Sequence, residues 1–136
     1  MNVKIDTKEK FNVITPLEQE IAANMTDELH NVLQDCLSRP VPHVVLKMGA
    51  IEILSEKAAQ IIATVQQSFY EQSHSFVVCE LQPAVEAMLD EMELLEYMNV
   101  TPTESEAWDI VQMEEIEREL MDDFDQDEPE QSSTSV

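Results

Sequence analysis

The chain has 136 residues, the size of one domain that buries about 68–70% of its unfolded surface. Hydrophobic residues make up 43% of it, and no apolar run approaches the ~20 residues that span a bilayer, which excludes disordered and membrane-spanning classes. A net charge of −22, from 29 acidic against 7 basic residues, repels phosphate backbones and anionic headgroups and so excludes direct nucleic-acid binding and membrane insertion. The charge is uneven, because residues 104–136 hold 13 of the acids and a single base, Arg118. Gly49 is the only glycine, so phosphate-cradling loops with several glycines at fixed spacing are excluded as well. Met1-Asn2-Val3-Lys4-Ile5-Asp6 lacks the apolar block of a secretory signal, and a cytoplasmic protein is the expectation.

Val3 and Ile5, then Phe11, Val13 and Ile14, flank the polar run Asp6 to Lys10 and predict two strands joined by a hairpin, the second ended by Pro16. From Asn24, read as an N-cap, the period lengthens to a helical stripe of Met25, Leu29, Val32, Leu33, Cys36 and Leu37, which Arg39-Pro40-Val41-Pro42 stops. His43 to Met48 is short, β-branched and almost continuously apolar, as a central buried strand is. Ser55 is placed to cap a helix on which Ala58, Ile61, Ile62, Val65 and Phe69 recur at helical spacing. Ser75 to Cys79 predicts the next strand, Pro83 the first turn of a helix through Leu89, and Tyr97 to Val100 a short edge strand. Thr103 caps a last helix with Trp108, Val111, Gln112, Ile116 and Leu120 along it, and Trp108, Val111, Met113 and Ile116 do not fall on one narrow stripe, which leaves part of the helix for a partner. Residues 121–136 are acidic and then serine-rich, with too little apolar surface to offset ordering, and predict a solvated, disordered tail.

Strands alternating with helices predict an α/β domain over 1–120. Three stretches then resemble the STAS domain of bacterial anti-sigma factor antagonists, which release sigma factors by capturing anti-sigma factors. Val45 to Ala58 is similar to the family's strand and loop ending in Asp-Ser-Ser-Gly before a helix. Val77-Val78-Cys79-Glu80-Leu81-Gln82-Pro83-Ala84-Val85 is similar to its strand followed by Ser-Pro-Ala-Val. Met113 to Leu120 resembles the acidic helical extension of one branch. The resemblance implies a STAS-type fold with a four- to five-stranded mixed, mainly parallel sheet and about four helices packed largely on one face.

Aligned on that motif, Ser55 stands for Asp, Glu56 for the first Ser, Lys57 for the phosphorylated Ser and Ala58 for Gly. Family members are switched off when a kinase that is also the anti-sigma factor phosphorylates that serine, and Lys57 cannot accept the phosphate. The resemblance implies a partner-binding face of Glu18, Glu20, Asn24, Ser55, Glu56, Lys57 and Ala58. Its partner would be an anti-sigma factor or related regulatory kinase, bound without the usual phosphorylation switch.

Catalytic inventories point the other way. His30, His43 and His74 fall on three elements, Cys36 and Cys79 lie far apart on apolar segments, and neither a ligand pair nor a nucleophile elbow is present. The expectation is a regulatory protein-binding domain, not an enzyme, with no metal and no cofactor. Two other readings stay open: the STAS subunit of a lipid-transport ABC system binding its ATPase component, and a self-associating scaffold or homodimer joined through the helix at 103–120.

Overall fold

A computed structural model describes residues 1–135, with side chains described through Met121. Strands β1 (Val3–Thr7) and β2 (Asn12–Pro16) form the predicted hairpin, in antiparallel register from Val3 opposite Pro16 to Thr7 opposite Asn12. Strand β1 runs two residues further than the apolar pattern indicates, because Asp6 and Thr7 pair with Val13 and Asn12. The ladder continues in parallel through β4 (Val44–Lys47) and β6 (Phe76–Cys79) to β7 (Val100–Thr101), giving the order β1-β2-β4-β6-β7. The edge strand starts later than expected, because Leu95 to Tyr97 form a 3-10 turn before it.

Period-2 alternation on the central strands sends side chains to two separate cores. Ile14, Val44, Leu46, Phe76 and Val78 face one layer, built by helices α1 (Thr26–Asp35), α2 (Glu56–Glu71) and α3 (Pro83–Glu91). Phe11, Val13, Val45, Val77 and Cys79 face the other, where helix α4 (Glu104–Ser135) supplies Ala107 and Val111. Three helices thus share one face, and the fourth covers the opposite face. The near-continuous apolar runs of β4 and β6 follow from that double burial. The disordered tail expected over 121–136 falls where the backbone continues as α4 to Ser135, and the side chains beyond Met121 lie outside those described. Among the described residues no helix is long and apolar enough to cross a membrane.

One cap differs from expectation. Asn24 does not cap α1: it is exposed within a 3-10 turn, Ala23–Met25, and Met25 occupies the N-cap position without a side-chain hydrogen bond. Thr26 Oγ1 donates to the Ala23 carbonyl at 2.8 Å, which ties the turn together but satisfies none of the first-turn N–H groups. Tertiary packing of Leu29 and Leu33 makes α1 stable enough to begin uncapped.

Candidate functional site

The start of α2 has a clear local cause. Ser55 is extended, at φ −69° and ψ 154°, and its Oγ accepts the Ala58 N–H at 3.1 Å, satisfying one of the orphan donors of the first turn. Such a cap is worth about 1 kcal/mol. Glu56 follows as an exposed first-turn acid that the helix dipole favours. Lys57 is exposed beside it, whereas Ala58 is fully buried and turns its methyl into the core.

A small second sheet brings a distant loop to that helix start. Strands β3 (Glu20–Ile21) and β5 (Ile53–Leu54) pair in parallel, Glu20 opposite Ile53 and Ile21 opposite Leu54. The Gln19 carbonyl accepts the N–H groups of Glu52 at 2.7 Å and Ile53 at 3.1 Å, and the Ile21 carbonyl accepts that of Ser55 at 2.9 Å. Glu20 is exposed on this bridge. Glu18 is half-buried, and its Oε1 accepts the Asn2 N–H at 2.9 Å, so it also anchors the N-terminal strand. The turn that carries Asn24 packs against α2. The expected residues therefore converge from two segments more than thirty residues apart, with Ala58 beneath the surface that the others share.

Two residues of this face escape the sequence reading. Leu17 is 57% exposed and Ile53 is 58% exposed, and Glu18, Glu20, Glu52 and Glu56 lie within three positions of one or the other. Ile53 sits between buried Ile51 and Leu54, so its run reads as core. Only the pairing with Glu20 shows that it points outward.

The loop beneath is tightly held. Glu80 adopts φ 60°, left-handed for a non-glycine residue, and its carboxylate lies over Gly49, where an added Cβ would come within 2.9 Å of Oε1. Lys47 Nζ bridges Glu80 at 3.6 Å and Glu104 at 3.3 Å. Its pKa rises, chiefly through the hydrogen bond to Glu104 and then through the charge of Glu80. Gln82 Nε2 donates to the Gly49 carbonyl at 2.8 Å. These contacts fix the segment between β4 and β5 and so the attitude of the α2 start.

A groove of about 870 Å³ lies further along α2, lined by Gln60, Thr64, Gln67, Tyr70, Leu94 and Tyr97 among others. None of the expected site residues lines it. Its buried amide, Gln66, is already used, with Nε2 donating to the Tyr97 carbonyl at 2.7 Å and Oε1 accepting the Asn99 N–H at 3.2 Å.

The STAS domain family matches residues 2–107. The chain belongs to the STAS domain family. No curated protein sequence matches it. Solved structures share the fold at low identity. A candidate anti-sigma factor antagonist of Thermotoga maritima is 17% identical, with TM-score 0.72, covering 81% of this chain and 94% of that one. An anti-sigma factor antagonist of Mycobacterium paratuberculosis is 19% identical, with TM-score 0.70, covering 82% and 93%. A variant of RsbS from Moorella thermoacetica is 18% identical, with TM-score 0.69, covering 82% and 96%. In this STAS domain the stretch similar to Asp-Ser-Ser-Gly sits at the N-terminus of α2, with Ser55 bonded as the cap and Glu56 and Lys57 exposed.

Proposed function

We propose that this STAS domain is a non-enzymatic regulatory binding module of the anti-sigma factor antagonist type, without the phosphorylation switch. The observation that carries the reading is the exposed start of α2, where Lys57 replaces the serine that the resemblance makes the phosphoacceptor. Solved structures of the same fold that are described as anti-sigma factor antagonists support it. The contact surface is Glu18, Glu20, Asn24, Ser55, Glu56 and Lys57, extended by Leu17 and Ile53. The hydroxyl next to Lys57 in the motif, Ser55, serves as the helix cap, and Glu56 offers fewer acceptor oxygens than a phosphate would, so the face lacks the family's phosphorylation switch. A partner with a basic surface suits it, and association would be fast and salt-sensitive.

The test is an affinity pull-down from native cytosol at low and high salt, comparing the unaltered chain with Glu56→Ser/Lys57→Ser and with Ile53→Asp. Recovery of an anti-sigma factor of the serine-kinase type, lost with Ile53→Asp, and phosphorylation of the serine-restored version alone are the expected results. Recovery of a transporter ATPase, or of nothing but the chain itself, would overturn the reading.

A further inference from the structure

Helix α4 covers the sheet with one side only. Ala107 and Val111 are fully buried, while Met113, Ile116 and Leu120 are 59%, 56% and 53% exposed. Their spacing of three and four residues puts them on one stripe, at 100° per residue opposite the line through Ala107 and Val111. An apolar stripe on the outer side of a helix whose inner side already packs is a surface for a partner, because core burial cannot account for it.

The surroundings say which partner. Exposed Asp109 lies on the same line one turn earlier, and exposed Glu117 and Glu119 flank the stripe on either side. Six more acids and no base follow in sequence between positions 122 and 130. Beside the stripe is a cavity of about 430 Å³ whose lining includes Glu114, Glu117 and Met121, with Arg118 the only base. Glu114 in that recess already accepts from Tyr70 and Ser75, which leaves exposed Glu117 at its rim as the carboxylate for a partner's basic side chain. A second copy of this chain would bring Asp109, Glu117 and Glu119 against their own equivalents, and an anionic membrane would be repelled in the same way.

We infer that the outer side of α4 is a second docking surface, taking a basic amphipathic helix whose apolar side chains seat on Met113, Ile116 and Leu120 and whose lysines and arginines meet the flanking carboxylates. The surface is separate from the face at the α2 start, since α4 covers the opposite side of the sheet. The inference therefore stands or falls independently of the proposed function.

Trp108, the sole tryptophan, lies on the same helix at 40% exposure and reports binding without a label. The probe is a helical peptide of ~18 residues with leucines at three- and four-residue spacing and lysines elsewhere, long enough to hold its helix. It is titrated at low salt into the intact chain, into M113Q/I116Q/L120Q and into Lys57→Glu. The expected result is a saturable change in Trp108 emission that weakens about tenfold or more in the triple variant, as loss of a hot-spot cluster does, and is unchanged in Lys57→Glu. A scrambled peptide of equal composition should bind as weakly as the triple variant does. All three substitutions are at exposed positions, and circular dichroism checks that the triple variant is folded. Equal binding by the triple variant, equal binding of the scrambled peptide, no binding at all, or stripe-dependent dimerisation in sedimentation would each overturn the inference.

Discussion

Single side chains near the N-terminal ends of β4 and β6 join the sheet to α4, and one of them makes folding sensitive to pH. His43 is buried, its Nδ1 accepts the Ser75 N–H at 2.9 Å, and its ring meets His74 edge-on at 5.8 Å. Burial lowers its pKa from 6.5, and the Arg118 charge and His74 lower it further against the opposing pull of Glu115 and Glu114. The unfolded chain therefore takes up this proton before the native one does. The stability that neutral His43 contributes is complete above pH 6.5 and is lost as pH falls through the lower native value. Urea unfolding of the native protein between pH 7.5 and 5.5 should show that loss. His43→Asn, which keeps an acceptor near the Nδ1 position but does not titrate, should show a flatter profile, and equal slopes in the two proteins would refute the assignment.

At the scale of elements, the described part of α4 is seated by few buried apolar side chains. Among its described residues Ala107 and Val111 are fully buried and Ile110 packs partly buried beside them, and polar contacts at two places add to the attachment. Lys47 holds its first turn through Glu104. Further along, the Glu114 carboxylate accepts from Tyr70 at 2.8 Å and from Ser75 at 2.6 Å, while Arg118 donates to Ser75 Oγ at 2.9 Å. Removing two methyl groups with Val111→Ala costs about 1–3 kcal/mol and should open α4 ahead of the rest of the domain. The two thiols report it. Cys79 lies in the core under α4, its pKa pushed up to about 12 by burial and then by Glu80, whereas Cys36 lies in the other core. A thiol reagent should label Cys79 faster in Val111→Ala with Cys36 unchanged, whereas equal acceleration at both would mean global unfolding. The order of the long elements was legible beforehand, because β4 and β6 are short, near-continuous apolar runs, α2 keeps an unbroken 3.6 period, and Ser55, Pro83 and the Arg39–Pro42 run bound them. The β3–β5 bridge was not, since two residues are too few for a period and their pairing is set by the Gln19 and Ile21 carbonyls. The charged residues of the site were legible only through the family resemblance, and Leu17 and Ile53 were hidden because an apolar residue in an apolar run reads as core.

Over the whole molecule, a net charge of −22 acts on folding and on binding with opposite signs. In the compact state the carboxylates repel one another more strongly than in the expanded chain, and ions screen that repulsion over a Debye length that falls from ~30 Å at 0.01 M salt to ~10 Å at 0.1 M. The ion pairs that salt also weakens are few and partly exposed, such as Lys47 with Glu80 and Arg118 with Glu114, each worth no more than about 1 kcal/mol. Repulsion among 29 acids outweighs them. Raising sodium chloride from 0.01 to 0.3 M should therefore move the urea midpoint of the isolated chain upward, while the same salt slows its association with a basic partner. Fluorescence of Trp108 follows unfolding, and stopped-flow mixing with the recovered partner follows association. A midpoint that falls with salt would mean that specific ion pairs dominate the fold, and an association rate that ignores salt would mean that neither docking surface works through its carboxylates.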